Sequence, residues 1–474
     1  MIKNMHKKVI FLILVVLCSI FFQGCQTGSF RFKQPLENEG ELYVYIKPFP
    51  NEAERLSFKL ESISALRSDG SEFKLTLILD KFGFFEIGRQ RLIATGILPP
   101  GNYAGLRLKA SNASLKTEEG ERSLFISDVS SQLDFQFQVE RTKASMISMS
   151  FKYAESVSDK FSFTPSFSVF IPERTIPGLV GYVSNYSDNS IMVFDKKKLE
   201  ITGVISTEAG PKGMALDNLL KKTYISIYDE DMVFVYDISS NRLINIIRLD
   251  IGDNPGEILL SQDGQFLFTA NNGSDTVSIV NTGSSLVMEK VQVGDGPNSL
   301  LIDNSGRHIY VFNTLSNNIS IIDVATRKVS ATIPTEHGPL RGQLSREGDK
   351  LFVIHESSPY LLVFDTSTLA LLRRESIGMG AKFIKVDKRT GFFYIANEYK
   401  NEIAIYNPFS FIPMDYILTK GAVNYMTIDG EENNLYLLAP DSKSLVVINI
   451  ISRKVISEMD ISDNPYWITL IGEQ

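Results

Sequence analysis

The chain has 474 residues, more than one ordinary hydrophobic core can use, so two domains are the starting expectation. A hydrophobic fraction of 43% beside 22% charged residues is that of a soluble globular protein. The formal net charge of -7 argues against nucleic acid or an anionic membrane surface as the main partner, and beyond the N-terminus no stretch approaches the length of a spanning helix.

The N-terminus reads as an export signal. Lys3, His6, Lys7 and Lys8 form a basic segment, followed by an apolar run from Val9 to Phe22 that is too short to span a bilayer and ends in small residues. The segment Phe22-Gln23-Gly24-Cys25 resembles the bacterial lipobox, in which a Gly-Cys junction is cleaved and the cysteine carries lipid. It departs from the commonest pattern twice, with Phe22 where leucine is usual and Gln23 where a small residue is usual. The resemblance implies a signal peptide over 1–24 and a lipid on Cys25 that holds the protein to a membrane; the alternative is a plain secretory signal with a chance cysteine. With Cys18 inside the signal and Cys25 acylated, the mature chain keeps no thiol, which excludes a disulfide framework and a thiolate metal site. Gln26 would suit outer-membrane sorting, so the expected location is the cell envelope, at the outer membrane or cell surface. Residues 25–38 are polar and read as a tether.

Residues 39–175 read as a first domain. Strand-like alternation recurs in Leu42/Val44/Ile46, Leu56/Phe58/Leu60, Phe73/Leu75/Leu77/Leu79, Leu106/Leu108, Leu133/Phe135/Phe137/Val139 and from Phe163 to Phe170. Turn signals at Asp69-Gly70, Pro99-Pro100-Gly101-Asn102 and Glu119-Gly120 separate the runs. Many short strands of period two without a helical pattern predict an antiparallel β-sandwich. Two stretches, Leu60-Glu61-Ser62-Ile63-Ser64-Ala65-Leu66 before Asp69-Gly70 and Leu98-Pro99-Pro100-Gly101-Asn102-Tyr103 before Leu106-Arg107-Leu108, resemble a domain of unknown function common in bacterial lipoproteins. That resemblance implies an immunoglobulin- or transthyretin-like sandwich and carries no activity.

Residues 176–474 are repetitive. Aligned segments begin at Tyr182, Tyr224, Phe268, Tyr310, Phe352, Tyr394 and Tyr436, so neighbouring starts lie 42, 44, 42, 42, 42 and 42 residues apart. Each segment is followed by a second apolar run closed by Asp195, Asp237, Asn281, Asp323, Asp365, Asn407 or Asn449. A third marker, at Pro211, Pro255, Pro297, Pro339, Ala381, Val423 and Pro465, keeps the same register. A repeat of this length with room for four short strands is a propeller blade. Tyr182-Val183-Ser184-Asn185, Ile319-Ser320-Ile321-Ile322-Asp323 and Val293-Gly294-Asp295-Gly296-Pro297 resemble the YVTN repeat family, which implies an all-β, seven-bladed propeller and no particular activity. The family's phase puts the innermost strand of each blade after the third marker. It therefore predicts that Tyr466–Leu470 pairs with Gly181–Asn185 to close the ring.

Sites on propellers gather where loops converge on the channel mouth. The loops entering the inner strands supply Glu208, Asp253, Asp295, Glu336, His337 and Asp463, and the first strand residues supply Lys212, Arg341, Lys382, Asn424 and Tyr466. Asp253, Asp295 and Asp463 recur at one repeat position and read as turn residues. Lys212, Glu336, His337, Arg341, Lys382, Asn424 and Tyr466 form the expected ligand-binding set. The residues closing the second apolar runs are spread one per blade and read as Asx turns rather than metal ligands. Of the 4 histidines, His6 lies in the signal and His308, His337 and His355 fall in separate repeats. No zinc, haem-attachment, nucleophile-elbow or phosphate-loop motif occurs, so no catalytic residue, cofactor or metal is expected. Trp467 reads as a packing residue. The leading expectation is a lipid-anchored envelope protein whose propeller face binds a protein or small molecule. The rivals are an envelope enzyme, lactonase-like or electron-transferring, with its site at the channel mouth, and a surface-layer-like structural component.

Overall fold

The computed structural model describes residues 33–473 apart from Phe85, 127–129 and Glu208. The expected signal segment, Cys18, the lipid-bearing Cys25 and the tether up to residue 32 lie outside the described residues, as does Glu208 among the mouth loops. From Gln34 onward the chain clusters as one compact unit.

Its N-terminal part is a sandwich of two sheets. One sheet has the order Phe167–Phe170, Ala144–Phe151, Gly40–Ile46, Arg91–Leu98, Thr76–Leu77. The other runs Ser131–Val139, Gly101–Thr117, Leu56–Arg67, Glu72–Lys74, with Lys81–Gly83 and Gly120–Ser123 on its flanks. Their facing sides share one core, to which Leu42, Val44, Ile46, Ile63, Leu106, Leu108, Phe137 and Met149 contribute.

The expectation of a purely antiparallel sandwich needs correction. Gly40–Ile46 runs parallel to Ala144–Phe151, in the register Glu41 with Ala144 to Ile46 with Met149. Parallel neighbours need a long crossover, and here the whole second sheet lies between them in sequence. The run Phe73/Leu75/Leu77/Leu79 is also not one strand. Glu72–Lys74 pairs in one sheet and Thr76–Leu77 in the other, with buried Leu75 at the corner between them.

Seven four-stranded sheets follow. From the second to the seventh, each is a meander starting on an inner strand: Pro211–Asp217, Pro255–Leu260, Pro297–Ile302, Pro339–Leu344, Ala381–Val386 and Tyr425–Asp429. The first blade is built from Val180–Asn185, Ser190–Asp195 and Glu200–Ser206, with Pro465–Leu470 from the other end of the chain as its inner strand. The ring closes in the expected register, Gly181 opposite Leu470, Tyr182 opposite Thr469 and Val183 opposite Ile468.

The physical reason for the repeat is visible in burial. The two middle strands of each blade are pressed between neighbouring blades and read as continuous apolar runs. Ile309, Val311 and Ile322 of one blade, for example, share a cluster with Phe268, Val277 and Ile279 of the previous one. The outer strands, such as Arg242–Arg248, are mostly exposed. At the end of each third strand the expected Asx turn is present. Asp195 Oδ1 accepts from the backbone N–H of Lys198 at 2.8 Å, and Asn407 Oδ1 from that of Phe409 at 2.9 Å. The turn then passes through a left-handed residue four positions on, Leu199 (φ 55°) or Phe411 (φ 58°).

A buried ion pair secures the seam. Lys196 Nζ lies 3.0 Å from Asp429, both side chains 0% exposed, and also meets exposed Glu431 at 2.7 Å and the Ile471 carbonyl at 2.7 Å. The sandwich sits over the same seam. Strand Gly40–Ile46 is buried on both sides, its Tyr43 and Tyr45 turned to the propeller. The Gln90 amide donates to the Ile201 carbonyl at 2.9 Å and accepts its N–H at 2.7 Å, capping the outer edge of blade 1. Arg89 and Arg91 reach Asp460 on the outer strand of blade 7 at 3.0 and 2.7 Å.

Three outcomes follow. Deleting residues 465–474 should lower the melting temperature of the whole ring, and an unchanged value would contradict the closure. Lys196→Met leaves Asp429 buried without a counterion and should cost about 3–5 kcal/mol in denaturant unfolding. Glu431→Gln, at an exposed partner, should cost less than about 1 kcal/mol.

Candidate functional site

The inner strands set the channel in layers, because equivalent positions of the seven strands meet near the axis. Two residues past the marker these are Gly213, Glu257, Ser299, Arg341, Phe383, Tyr425 and Trp467. The Arg341 guanidinium forms a bidentate pair with Glu257, at 2.8 Å and 3.2 Å, across the channel. It also lies over the rings of Phe383 (4.5 Å), Trp467 (5.4 Å) and Tyr425 (5.6 Å). Those three rings pack in series, Phe383 to Tyr425 and Tyr425 to Trp467 both 4.4 Å apart. Gly213 completes the layer because the strands of blades 2 and 3 approach too closely for a side chain, a Cβ there falling 2.7 Å from the Gly256 carbonyl. Burial pushes the Glu257 carboxyl up, and the guanidinium opposes that shift. Arg341 is lowered by burial but held above its ordinary value by Glu257, so the guanidinium stays charged.

A second layer lies two residues further along. Glu473, from the end of the chain, accepts from Thr427 (2.6 Å) and Thr469 (3.1 Å) and stands 3.6 Å from Lys385. Burial lowers the pKa of the Lys385 amine, with Glu473 opposing. The axis is thus filled by charges satisfied within the ring.

The mouth between blades 1 and 2 differs. Lys212 Nζ rests on the face of Tyr228, 3.0 Å from its centroid, with Tyr186 at 4.9 Å and Tyr466 at 5.4 Å. Tyr186 meets Tyr228 edge-on at 6.2 Å and donates to the Asp229 carboxylate at 3.1 Å. Burial pulls the Lys212 amine down to about 8, only partly countered by Asp229. Burial also pushes the Tyr466 phenol up to about 12, and raises those of Tyr186 and Tyr228.

Of the seven expected binding residues, the structure brings Lys212 and Tyr466 together. Arg341 belongs to the axial pair. Lys382 is 3.6 Å from Glu398, on a turn of its own blade. Asn424 stands at the mouth of blade 7 and donates its backbone N–H to Leu438 at 3.2 Å. Glu336 points away, pairing with Arg374 at 2.7 Å, and His337 is exposed. No hydrogen bond or ion pair among the described residues joins Glu336 or His337 to Arg341 or Lys382. The other described histidines are placed apart. His308 Nδ1 meets Asp303 at 2.8 Å, while buried His355 meets the Tyr360 carbonyl at 3.0 Å and is lowered to about 4 by burial. Among the described residues no three metal-ligating side chains gather. A shallow groove of about 660 Å³ lies on the sandwich, lined by Lys59, Phe82, Asn112, Ser114 and Phe125.

Sequence reasoning missed Glu257, Tyr186 and Tyr228. The tyrosines were within reach, since they occupy one repeat position in consecutive blades, where later repeats carry Asn272, Thr314, Glu356, Glu398 and Pro440.

Residues 178–390 match the model of a family described as YNCE-like beta-propeller. This chain contains a β-propeller. No curated protein matches it. Among solved structures, the periplasmic gluconolactonase of Pseudomonas aeruginosa is similar at 15% identity and TM-score 0.53, over 61% of this chain and 98% of that one. A functionally unknown protein of Desulfotomaculum acetoxidans gives the same identity, score and shares. The dihydro-heme d1 dehydrogenase NirN is similar at 12% identity and TM-score 0.51, over 64% of this chain and 77% of that one. At these identities the likeness is one of fold.

The axial pair should behave as structure. Arg341→Met leaves Glu257 buried and unpaired, at a cost of about 3–5 kcal/mol, and adding Glu257→Leu should recover most of it. A double-mutant cycle by denaturant unfolding reads both values; a single variant as stable as the parent would contradict the assignment.

Proposed function

We propose that this is a lipid-anchored binding protein of the bacterial cell envelope, with the propeller as binding module and the mouth between blades 1 and 2 as recognition site. The observation that carries the reading is the contrast within the channel. Its axial charges are committed to one another, whereas Lys212 at the entrance rests on tyrosine rings and, among the described residues, has no carboxylate in ion-pair reach. The basic start, the apolar run and the Gly24-Cys25 junction support export and lipidation. The sandwich, docked on blades 7 and 1, would carry the ring rigidly at the end of the tether.

A second reading is assembly through the ring's rim, favoured by apolar residues exposed on outer strands, among them Leu286, Met288, Met414 and Tyr416. Lactone hydrolysis, the activity named for the Pseudomonas propeller, is the enzymatic rival.

Two experiments test the proposal. A Cys25→Ala form should leave the membrane fraction, and its retention there would refute lipidation. Tagged protein drawn from its native membranes should bring down a ligand or partner that Lys212→Met does not. Recovery of nothing, with purified protein hydrolysing a lactone, would reject the binding reading; concentration-dependent sedimentation as large oligomers would favour assembly.

A further inference from the structure

Lys212 stands out among the cations bordering the channel. Lys382, Lys385 and Arg341 each have a carboxylate within 4 Å, at 3.6, 3.6 and 2.8 Å. Lys212 has no ion pair among the described residues. Among the described residues the acid acting on it is Asp229, which accepts a hydrogen bond from the Tyr186 hydroxyl. What Lys212 has instead is aromatic surface from three tyrosines on two blades.

An ammonium resting on tyrosine faces recovers only part of the solvation it loses on leaving water. The amine is therefore under-compensated as it stands, and a negative group would supply the difference. A cationic ligand would instead have to expel the lysine that already fills the aromatic cluster. Behind the cluster the Arg341–Glu257 pair and the Phe383, Tyr425 and Trp467 rings block the axis, so an occupant stays at the mouth.

We infer that the mouth between blades 1 and 2 takes the anionic group of a small organic molecule, a carboxylate or a phosphate, paired with Lys212 Nζ while the molecule's body packs on Tyr186, Tyr228 and Tyr466. This rests on the binding reading above and narrows it to a ligand class.

The pairing makes binding pH-dependent with a defined sign. An anion needs the charged amine, and in the free protein that amine loses its proton near pH 8. The groups facing it are the phenols of Tyr186, Tyr228 and Tyr466, all raised above the ordinary tyrosine value, and the Asp229 carboxylate. Affinity should hold below pH 7 and fall about tenfold between pH 7 and pH 9, with proton uptake on binding near pH 8.

The test is calorimetric titration of the full lipoprotein in detergent with glucuronate and with inorganic phosphate, using glucose and choline as neutral and cationic controls. The expected result is binding of at least one anion with that pH profile, lost in Lys212→Met. Lys212→Arg should keep binding and flatten the profile, because arginine does not titrate there. No binding of either anion up to high millimolar concentration, or anion binding unchanged in Lys212→Met, would overturn the inference. If the membrane pull-down still depended on Lys212, or choline bound instead, the recognition site would stand and only the ligand class would fall. If the pull-down were empty as well, both would fall.

Discussion

The seam between the first and last blades is the constraint on which the rest of the structure depends. A ring of sheets folded from one chain has two ends to reconcile, and here they meet inside one sheet, Val180–Asn185 against Pro465–Leu470. Left open, each would present an unpaired edge. Three further features gather on this seam. Buried Lys196 ties blade 1 to Asp429 of blade 7, and Glu473 closes the lower channel. The sandwich sits across the outer strands of both blades through Gln90, Arg89 and Arg91. The N-terminal domain therefore covers the place where the ring would otherwise part.

Closure also decides the character of the channel. Equivalent side chains from all seven inner strands converge on one axis, so each can be different while the backbone repeats. Glu257 and Arg341 come from blades 3 and 5, the aromatic series from blades 6, 7 and 1, and the close approach at Gly213 from blade 2. That layer is self-sufficient in charge, which makes it a plug. The lysine one residue nearer the entrance, Lys212, is the one left among aromatic rings. Departure from the repeat separates the two roles more clearly than residue type does, because lysines and arginines occur in both.

Most of the propeller was legible in the sequence, for a physical reason. Middle strands compressed between blades must be apolar on both sides, and the turn after each third strand needs an Asx residue and a left-handed position, so three markers recur in register. Phase then dictated the closing strand. The sandwich was less legible. Its strands Arg91–Leu98 and Ala144–Phe151 lack the alternation of a half-buried strand, Gly96, Thr95 and several serines breaking the pattern. A corner strand that changes sheets at Leu75 imitates one long strand. Lys212 and Tyr466, which meet at the mouth, could be placed there from the sequence because they begin inner strands. Glu336 and His337 could not be placed in the same way, because loop residues at a mouth can face outward as easily as inward. Glu257 carried no local signal, its importance arising only from Arg341 two blades away.

Fold alone does not assign an activity to a propeller, and the solved structures that share this one include enzymes of different chemistry. The claim on which the functional account stands is that a small acidic molecule occupies the mouth between blades 1 and 2. Native mass spectrometry of the protein, purified gently from its own cells, tests it most directly. The account predicts a bound small-molecule mass that disappears on Lys212→Met while the protein stays folded. The same mass retained in Lys212→Met, or none in the parent protein, would contradict it.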